Sequence, residues 1–271
     1  MFATSKNKIT IITFTHFWRE APSTYLIESM LDSIYSKMDI NECRHIINYD
    51  MKERTPKHLE YLENLKLLKH KYNNNIEITT YNTLRHKRSF VYIKLVEKCD
   101  TPYILFWEHD FILKKAVPIL KILDTMDKHN NIKYIRFNKR QNKTTQSKDN
   151  KHKPIDYWIE KEEDITEIPL LKVCGYGGLP HIEKRDWFLD YCKPLMLNIH
   201  IIKQNDLTRA VNKEIYRLRE SIGFNETHKQ IGTYIYGYML EDAYVESLDQ
   251  FKSLEAWGNK TPNKKWRELN D

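Results

Sequence analysis

The chain reads as an α/β protein with a central, mostly parallel sheet in a single domain, and three observations predict this. Short β-branched or apolar runs of strand length alternate with stretches whose apolar residues recur every three or four positions, giving four strands and three helices within the first 113 residues. At 271 residues, 41% hydrophobic and 12% aromatic, with only 7 Gly, the chain can bury a sizeable core and is neither collagen-like, low-complexity nor fully disordered. No apolar run approaches the roughly 20 residues of a membrane helix, and MFATSKNKITIITFTHF lacks the pattern of a signal peptide, which predicts a cytoplasmic protein without a transmembrane segment.

The elements follow in order. Lys8 to Phe14 (KITIITF) has the length and β-branching of a buried strand. Pro22 suits a helical first turn, and Tyr25, Leu26, Met30, Leu31 and Ile34 give residues 22 to 37 one apolar face. RHIIN (44 to 48) is a second strand, 56 to 70 a Leu-rich helix, IEITTY (76 to 81) a third strand, 89 to 98 a helix and YILFW (103 to 107) a fourth strand. A helix near 115 to 129 and a strand at 132 to 137 come next, then KRQNKTTQSKDNKHK (139 to 153), a polar, basic loop. Beyond it lie a short apolar stretch (168 to 174), the turn-rich GYGGLP, helices from about 182 to 192 and 206 to 221, and strands at 231 to 236 and 243 to 248. Cys43, Cys99, Cys174 and Cys192 are scattered without a C-x-x-C pair, so buried, reduced thiols are expected in place of a zinc knuckle or a disulfide framework.

Ligands of open α/β sheets sit beyond the carboxyl ends of the strands. The places to search are therefore Thr15 to Arg19, Tyr49 and Asp50, Asn82 to Arg88, and Glu108 to Asp110. The 44 basic against 37 acidic residues give a net charge of +7, which invites a polyanion without choosing among nucleic acid, membrane and phosphorylated small molecules. The most informative segment is Trp107-Glu108-His109-Asp110, directly after YILF. An acidic pair after a strand is often only a solvated loop cap. At a strand-to-loop turn, however, acids at i and i+2 can converge on one cation, and carboxylates hold Mg²⁺ or Mn²⁺ while leaving positions for water and nucleotide phosphates. Its place after the fourth strand favours a nucleotide-sugar site, where a metal neutralises a departing diphosphate.

The first 113 residues resemble the nucleotide-binding half of the GT-A glycosyltransferases, especially the family-two-like group. The resemblance rests on Thr13-Phe14-Thr15-His16, the helix ending Leu31-Asp32-Ser33-Ile34, Asp50 after the second strand, the helix Phe90 to Cys99, and PYILFWEHDFIL in the place of that fold's Asp-x-Asp motif. It implies a three-layer sandwich with a donor half (1 to 113) and an acceptor half (114 to 271). It also implies a nucleotide-diphosphate-sugar donor, a glycan or other hydroxyl acceptor, and Mn²⁺ or Mg²⁺. Asp110 would contact the metal, and Glu108, standing where the motif has Asp, would aid it or hydrogen-bond the ribose. Thr15, His16 and Arg19 would face the base and phosphates, Asp50 the base, and Arg88 the diphosphate.

Gly175-Tyr176-Gly177-Gly178-Leu179-Pro180-His181 matches neither a dinucleotide fingerprint nor a phosphate-binding loop. In such transferases a segment like it commonly lines the acceptor, which brings Gly178 and His181 into the expected site; a plain turn into a helix is the competing reading. An inverting transferase needs one carboxylate to take the acceptor's proton. Asp186, Asp206, Glu214, Glu220, Glu241 and Asp242 are the candidates, with Glu214 first and Asp242 second. Asp242 belongs to a Glu-Asp pair that resembles the one supplying the base in many relatives, yet it lies between two strands. Related sequences often end their last strand in a metal-completing His, and AYVESLD has none. The rival readings are a basic nucleic-acid-binding protein, a non-catalytic nucleotide-sugar binder and a nucleotidyltransferase. No recognition-helix, RRM or zinc motif accompanies the basic run, and the Gly-rich opening of nucleotidyltransferases is missing, so no nucleic-acid partner is expected.

Overall fold

The computed structural model describes residues 7–16, 22–40, 42–51, 54–72, 75–81, 88–142, 159–162, 167–197 and 208–248. The expected alternation is present as β1 (Ile9–Thr15), α1 (Tyr25–Lys37), β2 (His45–Tyr49), α2 (Pro56–Lys71), β3 (Ile76–Thr79), α3 (Arg88–Glu97) and β4 (Tyr103–Glu108). Then come β5 (Phe111–Leu113), α4 (Ile119–Lys128), β6 (Tyr134–Arg136), β7 (Ile159–Glu162), β8 (Leu170–Val173) and β9 (His181–Lys184). A short α5 (Arg185–Trp187) runs through one π-helical turn (Phe188–Cys192) into α6 (Lys193–Leu197), followed by α7 (Arg209–Ile231), β10 (Thr233–Tyr236) and β11 (Val245–Ser247).

One nine-stranded sheet, ordered β3-β2-β1-β4-β9-β6-β10-β8-β7, carries strands from both halves of the sequence. β3, β2, β1 and β4 are mutually parallel, and β6 and β10 are parallel to each other. β9 lies antiparallel between β4 and β6, and β8 antiparallel between β10 and β7, so two strands run against the other seven. The carboxyl ends of β1, β2, β4, β6 and β10 thus share one edge. β11 pairs antiparallel with β5 in a separate two-stranded sheet just beyond it.

β1, β2 and β4 are buried on both faces, as their near-continuous apolar runs require. Ile9 and Ile11 pack with α1, α2 and α4, whereas Ile12 and Phe14 pack with α3, the π-helical turn, α6 and α7. The result is the three-layer α/β arrangement. α2 opens on Thr55, whose hydroxyl accepts the His58 N–H, with Pro56 in its first turn. α7 closes on Gly232 at φ 60, where a Cβ would lie 1.9 Å from the Asn131 carbonyl oxygen. All four cysteines are free and buried. Among the described residues, no helix is long and apolar enough to cross a membrane.

The second half departs from the sequence expectation in particulars. The helix expected from 182 begins as β9, because His181 to Lys184 complete the hydrogen bonding between β4 and β6. The helix expected over 206 to 221 runs as α7 to Ile231, broken by Gly223 at φ 79 and ψ 171. β5 and β7 are additional strands. Of the basic stretch, residues 143 to 153 lie outside the described residues.

Candidate active site

Four chain segments meet at the carboxyl edge. The ladder aligns Phe14 with Glu108 and Thr15 with Tyr49, and the Asp50 N–H donates to the Thr15 carbonyl at 2.9 Å. Asp50 and His16 therefore stand at this edge, His16 exposed. Thr15 does not face it: its side chain is buried, and its hydroxyl bonds that of Tyr61 on α2 at 2.7 Å. Arg19 lies outside the described residues. Asn48, which the sequence did not flag, accepts the Thr79 hydroxyl (3.0 Å) and the Tyr81 N–H (3.1 Å), tying the ends of β2 and β3 together.

The Glu-His-Asp turn separates its two acids by environment. Glu108 Oε1 accepts from the Arg88 guanidinium at 2.7 Å, and that guanidinium also lies 5.0 Å from the Phe14 ring. The two residues expected to serve a metal and a diphosphate are thus paired with each other. Asp110 is only 9% exposed. Its carbonyl accepts the Leu248 N–H at 2.7 Å, and its Oδ2 accepts the Ser247 hydroxyl at 3.2 Å. Its Oδ1 is buried with no hydrogen-bond partner. The Trp107 indole N–H donates to the Phe111 carbonyl at 2.7 Å, holding the turn from the other side. Between the acids, His109 is buried, and its Nδ1–H donates to the Phe14 carbonyl at 3.1 Å, since a carbonyl can only accept. The His109 ring meets that of His16 edge to face at 4.7 Å.

A buried carboxylate oxygen without a donor is costly, and a hard cation is one group that relieves it. Among the described residues there is no group of three or more His, Cys, Asp or Glu side chains placed to hold a metal. The arrangement fits a cation that takes one protein carboxylate, Asp110, and fills its other positions with phosphate oxygens and water. Glu108 is paired with Arg88 in the chain as it stands.

The Gly-rich segment is held from several sides. Asn212 on α7 accepts the Tyr176 N–H at 2.9 Å and donates to the Tyr176 carbonyl at 2.6 Å. The Tyr134 hydroxyl accepts the Gly177 N–H at 3.1 Å and donates to its carbonyl at 3.0 Å. Beneath it Glu183, fully buried, accepts the Tyr92 (2.6 Å) and Tyr176 (3.0 Å) hydroxyls. Burial foremost, with the Glu183 charge next, raises both phenols well above their usual range. A Cβ on Gly177 would lie 2.9 Å from Arg136 Nη1, whereas among the described residues one on Gly178 would meet only the Thr208 methyl at 3.9 Å. Gly178 thus keeps open space beside it. His181 corrects the sequence expectation: it is 0% exposed inside β9, stacked on Phe106 with ring centroids 5.1 Å apart, and its Nδ1–H donates to the Leu179 carbonyl at 2.7 Å. It has no surface to offer an acceptor.

The two candidate bases also differ. Glu214 receives both Arg217 N–H groups at 2.8 and 2.6 Å, and those hydrogen bonds hold its carboxyl below the usual range. Asp242 is exposed in the β10–β11 connection, where its carbonyl accepts from Lys115 at 3.0 Å. Its neighbour Glu241 is structural. Burial pushes that carboxyl up, but the Tyr238 N–H, the Tyr244 hydroxyl and Lys115 together bring it below the usual range. A polar cleft of about 370 Å³, lined by Asn7, Glu42, Arg44, Asn75, Asp100 and Thr101, lies at the opposite, amino edge. Arg44 spans it toward Glu77 and Asp100.

No protein-family model matches the chain, and no curated protein matches it. Solved structures do. S. aureus TarS 1-349 in complex with UDP-GlcNAc superimposes with a TM-score of 0.52 at 11% identity, over 97% of this chain and 64% of that one. GalNAc-T7 with UDP, GalNAc and Mn²⁺ gives 0.53 at 8% identity, over 87% and 43%. S. aureus TarS gives 0.50 at 12%, over 92% and 38%. The chain therefore spans from 38% to 64% of the length of these proteins. At such identities the likeness is one of architecture, and it establishes that this chain has the α/β fold of the GT-A glycosyltransferases.

Proposed function

We propose that the protein is a glycosyltransferase that moves a sugar from a nucleotide-diphosphate donor to a hydroxyl of a glycan or glycoconjugate acceptor, with inversion. One observation carries the reading: Asp110, buried at the carboxyl edge of a GT-A-like sheet, keeps one carboxylate oxygen without a partner. The UDP, UDP-GlcNAc and Mn²⁺ held by structures of this fold agree with it.

In this reading Asp110 would hold a divalent cation, Mn²⁺ or Mg²⁺, which when bound would supply positive charge to a departing diphosphate. Asp50 and His16 border the nucleotide. Glu108 holds Arg88 in position until the donor binds, when Arg88 exchanges it for a diphosphate oxygen. Gly178 borders the acceptor. The acceptor hydroxyl loses its proton to a carboxylate as its oxygen bonds the anomeric carbon, and the bond from that carbon to the diphosphate breaks. We assign the proton to Asp242, whose exposed side chain stands at the same edge; Glu214 is the alternative, weakened as a base by Arg217.

Thermal-shift measurements with UDP-, GDP- and CMP-sugars, with and without Mn²⁺, test the reading. One donor at about 100 times its Kd adds about 2.7 kcal/mol and so raises Tm by about 5 °C or more, only with metal. No response to any nucleotide, alongside salt-sensitive RNA binding, would overturn it in favour of a nucleic-acid-binding protein.

A further inference from the structure

We infer that Ser247 is a positioning residue for the metal ligand: it sets the cation affinity of the site through Asp110 without touching the cation. The inference rests on the glycosyltransferase reading above. Ser247 ends β11, which arrives from 137 residues away in sequence and pairs with β5 so that Ser247 lies opposite Phe111. Two consecutive residues then grip Asp110. The Leu248 N–H fixes its backbone through the carbonyl, and the Ser247 hydroxyl fixes Oδ2 at 3.2 Å.

The consequence is orientational. A carboxylate free to turn would spread its charge over several directions and capture whatever donor came nearest. With the backbone pinned and one oxygen tied, the plane of this carboxylate is set, and Oδ1 is the oxygen left without a donor. Ser247 is itself only 8% exposed, so water does not readily replace its hydroxyl. In the chain as it stands Glu108 is paired with Arg88 at 2.7 Å, so Asp110 is the acid of the turn that keeps an oxygen without a donor. The last described strand thereby decides, through Asp110, how well the first half of the chain binds the cation. Partners of this kind, which orient a ligand from behind, typically govern about 10- to 100-fold in metal affinity.

The test uses the full-length chain at 25 °C, with free Mn²⁺ followed by electron paramagnetic resonance in the presence of saturating UDP and, separately, GDP. Ser247→Ala is expected to raise the half-saturating Mn²⁺ concentration by about 10- to 100-fold. Ser247→Thr, which restores a hydroxyl, is expected to bring it back to within about threefold, and Asp110→Asn to abolish binding. Nucleotide affinity at saturating Mn²⁺ should change less than about threefold in Ser247→Ala. Because the readout is isothermal, a variant that is merely less stable leaves the midpoint where it was. Should Ser247→Ala fail to fold, Ser247→Cys, nearly isosteric with a weak donor, carries the comparison and should fall between wild type and Asp110→Asn. Wild type that binds Mn²⁺ with a variant midpoint unchanged overturns the role of Ser247 alone. Wild type that takes up no Mn²⁺ with either nucleotide overturns the functional reading and this inference together.

Discussion

Removing the charge of Asp110 should make the metal-free protein more stable while it destroys function. The carboxylate is 9% exposed and makes one hydrogen bond, from Ser247, so one buried charged oxygen carries an uncompensated desolvation cost. In Asp110→Asn the amide oxygen can keep the Ser247 bond, and the unpartnered position passes to a neutral NH₂. An unsatisfied buried group costs about 1–3 kcal/mol, and more when charged, so exchanging an ion for an amide should recover about 1–2 kcal/mol. For a chain of this size that is a rise of roughly 3–6 °C in Tm. The assay is thermal and urea unfolding at pH 7 in EDTA, beside the metal-dependent donor stabilisation. Glu108→Gln supplies the contrast, since its partly exposed pair with Arg88 should change stability by less than about 1 kcal/mol. If Asp110→Asn instead melts below wild type in EDTA, the carboxylate is a structural element and the cation-site reasoning fails.

Three further outcomes follow from other parts of the fold. His45 is fully buried between the Thr13 and Tyr35 hydroxyls, each at 2.8 Å, and burial lowers its pKa from about 6.5 to about 3. The unfolded chain takes a proton there that the folded one refuses, so stability should fall as pH drops from about 6.5 toward about 3. At pH 5 the loss is about 2 kcal/mol, and urea unfolding of wild type and His45→Gln at pH 7 and pH 5 should show it absent from the variant; equal pH slopes refute it. Gly177→Ala should cost about 1–3 kcal/mol, because its Cβ would press on Arg136 at 2.9 and 3.2 Å, whereas Gly178→Ala should stay within about 0.5 kcal/mol in the same unfolding assay. Asp242→Asn should lower transfer, followed by release of the nucleoside diphosphate, by about 10²-fold or more at unchanged donor affinity, and Glu214→Gln only a few-fold; the reverse result returns the role to Glu214.

What the sequence made legible was whatever local pattern encodes. YILFW ends in Glu108 and Asp110 because a strand buried on both faces must be apolar until it leaves the sheet, and the change to acids marks that exit. The same logic located Asp50 and His16. It failed where partners come from far away. His181 follows a Gly-Leu-Pro turn that reads like the start of a helix, and only the gap between β4 and β6 makes it part of a strand. Glu183 looks like a surface residue until Tyr92 and Tyr176 are folded onto it. Thr15 turns inward because Tyr61 waits on α2.

On the proposed reading, Ser247 ties the chemistry of this edge to the second half of the chain. A serine in a three-residue strand carries no local signal, and the missing histidine at that point reads in sequence as a loss. In the fold the same position delivers a hydroxyl to Asp110 Oδ2 and the next residue an N–H to its carbonyl. A small donor behind the carboxylate ties Oδ2 and leaves the buried Oδ1 without a donor of its own. On the proposed reading, the acid of the first half gains its direction from the last described strand of the second, and neither segment would form the cation site alone.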